Sequence, residues 1–117
     1  MSAPIILIDD EALICRVFGL ALRKLGRLVV TFTDPRAAIA HIASSERPCL
    51  VICDYRMPGL TGLEVLEQLP DDLPFLLISG DLLASETAAH RRGVTAFLQK
   101  PVRLDELLAT VSPLLTH

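Results

Sequence analysis

Five short apolar runs, each followed by a segment of helical periodicity, predict an α/β fold: a parallel sheet doubly wound with helices on both faces. Three observations carry this. The runs are four or five residues long and almost continuously apolar, as in strands buried on both sides. The segments between them repeat apolar residues at three- and four-residue spacing, the period of a helix face. Strand and helix alternate without a long gap, and the right-handed crossover rule then places the strands parallel.

The elements follow in order. Pro4 to Ile8 is an apolar strand. Ala12 to Leu25 has apolar residues at 14, 17, 18, 21, 22 and 25, one helix face, and Gly26 stops it. Leu28 to Phe32 is a β-branched strand. Asp34-Pro35 opens a helix, Asp capping and Pro at the first helical position, which runs to Ser44-Ser45. Cys49 to Cys53 is a strand, followed by the turn-rich DYRMPGLTG. Leu63 to Leu69 is a short helix closed by Pro70, and Phe75 to Ile78 a strand ending at Ser79-Gly80. Leu83 to Arg92 is helical and stopped by Gly93, Val94 to Leu98 is the fifth strand, and Leu104 to Leu115 the final helix.

The 117 residues, 51% hydrophobic and 21% charged, suit one domain spanning 1–117 with little tail. The net charge of −3, with both signs interspersed, argues against a nucleic-acid surface. No apolar run approaches the roughly 18 residues of a membrane helix. The opening MSAP lacks a basic n-region, and Asp9 and Asp10 interrupt any signal-peptide core. Cys15, Cys49 and Cys53 are odd in number and without CxxC spacing, so they read as small hydrophobes in a reducing, cytoplasmic setting.

Open parallel sheets gather function at the carboxyl ends of their strands. Here the first strand ends in Asp9-Asp10, the third in Asp54, the fourth in Ser79 and the fifth near Lys100. Taken singly, each has a plain reading: turn former, helix cap or solvated charge. Glu11 reads as an acid of the first helical turn. Together they are harder to dismiss, because carboxylates a few ångströms apart repel by about 4 kcal/mol per pair in a partly screened site. Such a cluster needs cations. Lys100 supplies one charge, and a divalent ion with oxygen ligands, Mg²⁺ before Ca²⁺, would supply the rest. An acceptor carboxylate, charge neutralisation, a hydroxyl donor and an amine are the parts that an acyl phosphate requires.

The motifs LIDDE at 7–11, VICDYRMPGLTGLEVL at 51–66, LLISG at 76–80 and FLQKP at 97–101, in this order, resemble the receiver domain of two-component response regulators. The resemblance covers the whole chain and implies the flavodoxin-like, CheY-like strand order 2-1-3-4-5. It implies that Asp54 is the phosphoacceptor, served by a sensor histidine kinase or a histidine phosphotransfer domain. Asp10, Asp54 and the backbone carbonyl of Arg56 would bind Mg²⁺, with Mn²⁺ a substitute and Asp9 acting mainly through water. Ser79 would hydrogen-bond the phosphoryl group, Lys100 would pair with it, and Lys100-Pro101 would be a cis peptide. Phe97 stands at the aromatic switch position, where many receivers have tyrosine. Pro58 and Gly59 would shape the loop after Asp54, and Gly62 would let the next helix begin. Val102 stands where phenylalanine is frequent. Arg56 and Asp81, each two residues beyond Asp54 and Ser79, would set how fast water hydrolyses the acyl phosphate.

The implied activity is a phosphorylation-controlled switch rather than an enzyme acting on a separate substrate. It would move the surface of the fourth helix, fifth strand and final helix, where His90, Arg91, Asp105 and Glu106 lie. That surface would serve a downstream protein, an output domain or a homodimer, without direct nucleic-acid or membrane binding. A Mg²⁺-dependent aspartyl-phosphate phosphatase would carry a second acid where Arg56 stands. A flavin binder would show a phosphate-cradling loop after the first strand, which is absent. A receiver-like module that signals by binding alone is the remaining alternative.

Overall fold

A computed structural model describes residues 3–81 and 93–115. The elements are β1 (Ile5–Ile8), α1 (Ala12–Arg23), β2 (Val29–Phe32), α2 (Pro35–Ser44), β3 (Leu50–Asp54), α3 (Gly62–Glu67), β4 (Phe75–Ser79), β5 (Ala96–Gln99) and α4 (Leu104–Val111), which tightens into a 3-10 turn at Ser112–Leu115. The five strands form one parallel sheet in the order β2-β1-β3-β4-β5, as expected. The expected helix at 83–92, with His90 and Arg91, lies outside the described residues.

Every residue of β1, β3 and β4 is buried, because helices cover both faces of the sheet. Strand alternation divides the core in two. Ile6 and Ile8 join Ala38 and Ile42 of α2 and Leu63 and Val65 of α3. Ile5 and Leu7 face the other way, toward Phe18 and Leu22 of α1 and Leu107 and Val111 of α4. Each such fully buried aliphatic side chain contributes about 1.5–3 kcal/mol relative to exposure.

Local chemistry sets the helix boundaries. Asp34 accepts from the Arg36 amide at 3.0 Å, and Pro35 occupies the first turn of α2. Thr61 and Glu64 form a reciprocal capping box that starts α3 (2.8 and 3.2 Å). α1 ends at Arg23 rather than Leu25, because the amides of Lys24, Leu25 and Gly26 bond three residues back and Gly26 adopts φ +79°. α4 ends at Val111 rather than Leu115, since Pro113 has no amide to continue the ladder. Glu11 is the N-cap residue of α1 rather than a first-turn acid, and its side chain caps nothing.

The topology decides where a site can form. From β1 the chain passes to β2 on one side, and from β3 it passes to β4 and β5 on the other. The helices therefore diverge at the β1/β3 boundary, leaving a crevice at the carboxyl ends of those strands. Asp9 and Asp10 follow β1 there, and Asp54 closes β3.

Candidate functional site

Asp9 and Asp54 are buried, at 4% and 3% exposure, while Asp10 is exposed above them. One oxygen from each carboxylate lies within 4.8 Å of the others. Lys100, just past β5, reaches across with its ammonium 2.9 Å from Asp54 Oδ1. Among the described residues no other donor reaches the buried Oδ1.

The rim is built from backbone as well as side chains. Asp9 Oδ1 accepts from the Glu11 amide at 2.9 Å, an Asx turn between β1 and α1. The Asp9 carbonyl accepts from the Cys15 thiol at 3.3 Å. The Tyr55 amide donates to the Ile78 carbonyl and the Lys100 amide to the Ser79 carbonyl, both at 2.8 Å, so the ends of β3, β4 and β5 are stitched together. Ser79 is buried, and its hydroxyl oxygen accepts from the Asp81 amide at 3.0 Å. After Asp54 the chain turns back on itself. Arg56 bridges Thr61, the Gly62 amide donates to the Tyr55 carbonyl at 2.7 Å, and Gly59 takes φ +87°.

Electrostatics show what this costs. Burial lifts the Asp9 carboxyl from its ordinary 3.8 to about 6, with Asp54 and Asp10 pushing the same way against the Glu11 amide and Lys100. Burial likewise raises Asp54, although Lys100 opposes the rise. Burial disfavours the Lys100 ammonium, but the carboxylates of Asp54, Asp9 and Glu11 outweigh it and its pKa is raised. Among the described residues, one ammonium faces the clustered carboxylates of Asp9, Asp10 and Asp54. Hard oxygen donors, one of them buried with no partner but Lys100 among the described residues, form a set that could hold a divalent cation.

The structure thus brings Asp9, Asp10, Asp54 and Lys100 into one cluster, with Ser79 on the adjoining strand end. The Lys100-Pro101 peptide is cis. Arg56 and Asp81 are exposed on the two loops flanking Asp54 and Ser79. Phe97 lies half-buried on β5 opposite Leu77, packed on the core face that holds Met57 and Leu63. Three features were missed from sequence: the Glu11 amide and Cys15 thiol on Asp9, and the packing of Gly62. The aspartate two residues before Glu11 was a legible Asx-turn signal; the other two carried none. A larger cavity, about 650 Å³, lies between Leu66 and Thr95 beside Asp71 and Asp72, apart from this cluster.

Residues 5–112 match the family of response regulator receiver domains. The chain belongs to that family. The receiver domain is 37% identical over 119 residues to response regulator MprA of Mycolicibacterium vanbaalenii, an alignment covering 98% of this chain and 51% of that protein. It is 31% identical over 114 residues to the DNA-binding transcriptional regulator NtrC of Salmonella typhimurium, covering 94% of this chain and 24% of NtrC. It therefore spans about half the length of MprA and a quarter of NtrC. Among solved structures, the Vibrio cholerae chemotaxis protein CheY4 superposes with a TM-score of 0.87 at 26% identity, covering 98% of this chain and all of that one. A receiver domain from Clostridium thermocellum, at TM-score 0.88 and 23% identity over 97% and 94% of the two chains, shares the fold. Receiver domains are signalling domains of two-component systems. No described helix is long and apolar enough to cross a membrane.

Proposed function

We propose that this receiver domain accepts a phosphoryl group on Asp54 from the phosphohistidine of a sensor kinase or phosphotransfer domain, and that the resulting aspartyl phosphate controls a downstream protein or an output domain. One observation carries the reading. Asp54 presents a buried carboxylate oxygen with the Lys100 ammonium at 2.9 Å and no other donor among the described residues, in a cluster of acids.

The residues have separable tasks. Asp54 is the nucleophile: a carboxylate oxygen attacks phosphorus in line while the donor's leaving group departs opposite. Lys100 draws off charge on the incoming oxygens, and its tie to the Ser79 carbonyl keeps it near the next strand end. The Ser79 hydroxyl, on the strand beside Asp54, can donate to a phosphoryl oxygen once it turns from Asp81. Asp9, Asp10, Asp54 and the Arg56 carbonyl would hold Mg²⁺, or Mn²⁺ in its place. When bound, the ion supplies the positive charge that a dianionic phosphoryl group needs among these carboxylates. Phosphorylation would bias a pre-existing equilibrium through Ser79 and Phe97, altering the surface that carries Asp105 and Glu106. We read residues 1–117 as one such cytoplasmic unit, with homodimerisation on phosphorylation open to it.

The test is intact mass after incubation with Mg²⁺ and acetyl phosphate, for wild type and Asp54→Asn. A labile gain of one phosphoryl group, absent from Asp54→Asn, is expected. No gain by folded wild type overturns the reading in favour of a module that signals by binding alone.

A further inference from the structure

A cavity of about 400 Å³ opens directly beside the acceptor site, between α1 and the segment joining β5 to α4. It shares Asp9 and Lys100 with the acidic cluster, and Glu11 stands at the same end. Its remaining walls are apolar: Ile14 and Phe18 from α1, Ile78 from β4, and Pro101 and Val102 after β5. The cavity has two chemical ends, and only one suits a charge.

The polar end adjoins the acceptor. Lys100 Nζ is 2.9 Å from Asp54 Oδ1, so a phosphoryl group under attack by Asp54 lies at the cavity's edge with Lys100 beside it. A substituent of that phosphoryl group directed past Lys100 enters the cavity. Among the described residues lining the cavity it would meet no further cation, since Lys100 is the only basic one. Asp9 and Glu11 would repel a second anionic group there. An uncharged apolar group is instead matched by Ile14, Phe18, Ile78, Pro101 and Val102, and its transfer from water is favourable.

We propose that this cavity is a leaving-group pocket that makes the domain prefer small acyl phosphates with an apolar acyl chain over acetyl phosphate. This rests on Asp54 being the acceptor. The chemistry balances without a co-reactant: the acyl-oxygen-to-phosphorus bond breaks, an Asp54-oxygen-to-phosphorus bond forms, and the acid leaves as a carboxylate holding the electron pair. Val102 is one of the pocket's apolar walls.

The test measures phosphorylation rate constants of the full chain by intact mass with acetyl, propionyl and butyryl phosphate in Mg²⁺ buffer. Each is corrected for the donor's spontaneous hydrolysis. Wild type is expected to gain up to about fourfold per added methylene, the fold-change equivalent of ~0.8 kcal/mol for burying one. Val102→Phe, and the milder Val102→Leu, should flatten that series. The ratio is read within each variant, so a general loss of rate does not obscure it. A flat or falling series in a wild type that acetyl phosphate labels overturns the pocket and leaves Asp54 as acceptor. A rising series that both variants preserve overturns it as well. No labelling by any donor overturns the acceptor assignment and the pocket with it.

Discussion

Replacing Gly62 by alanine should destabilise this domain, although alanine is the better helix former and Gly62 is the first residue of α3. A Cβ at that position would lie 2.7 Å from the Asp54 carbonyl oxygen, 2.8 Å from Leu77 Cδ1 and 3.1 Å from Tyr55 Cα. Two of these are backbone atoms, which cannot rotate aside. Nor can α3 slide away freely, since the Gly62 amide donates to the Tyr55 carbonyl at 2.7 Å. Helix propensity favours alanine by up to about 1 kcal/mol. Against it stand overpacking at about 1–3 kcal/mol and partial loss of a hydrogen bond at about 1 kcal/mol. The net is a loss of roughly 1–3 kcal/mol, which lowers a urea midpoint by about 1 M for typical slopes. Gly19→Ala is the internal control. Gly19 lies in the middle of α1, where the atoms nearest a Cβ are Arg23 Nη1 at 3.4 Å, Thr31 Cγ2 at 3.5 Å and Arg23 Cζ at 3.9 Å, all on side chains. There the propensity term should prevail, a gain of about 0.5–1 kcal/mol. Urea unfolding of both variants beside wild type decides the matter. If Gly62→Ala matches or exceeds wild-type stability, the close approach of α3 to the acceptor strand is not what requires glycine.

Three further outcomes follow from the acidic cluster. Asp9 has a folded-state pKa of about 6 against an ordinary 3.8, so the folded protein binds the extra proton between those values. In EDTA its stability should therefore fall as pH rises through that window, by up to about 3 kcal/mol; Asp54, raised likewise, acts in the same direction. Urea unfolding at pH 5 and pH 8 checks this: Asp9→Asn should flatten the difference, and stability rising with pH in wild type would contradict it. Lys100→Met removes the ammonium beside the buried Asp54 carboxylate. At pH 8 in EDTA it should cost about 1–2 kcal/mol, well below a fully buried pair because the lysine is partly exposed, and the loss should shrink as falling pH protonates Asp54, whose pKa burial raises. Arg56→Ala and Asp81→Ala should each change the aspartyl-phosphate lifetime by about threefold, roughly 0.7 kcal/mol in barrier; a mass-spectrometric decay matching wild type would make them ordinary surface charges.

The sequence alone determined the order of the described elements, the family and the residues at the strand ends, because each rests on local pattern. Apolar runs, the Asp34-Pro35 cap and Gly26 act within a few residues of themselves, and β1, α2 and β3 lie within a residue of where pattern placed them. Pattern was weaker where a single residue breaks a period from outside it, as Pro113 does when it turns the end of α4 into a 3-10 turn. What only the tertiary structure decided is distance. Asp9, Asp54 and Lys100 are separated by some 45 residues at each step, and only strand order and register bring an ammonium to 2.9 Å from a buried carboxylate oxygen. The glycine at 62 likewise has its reason in Asp54 and Leu77, which no local period reports. The apolar cavity beside Lys100 joins residues of α1, β4 and the segment after β5, so it exists only once those elements pack. Patterns of hydrophobicity record which side of an element meets the core, whereas burial, ion pairing and steric contact arise between elements.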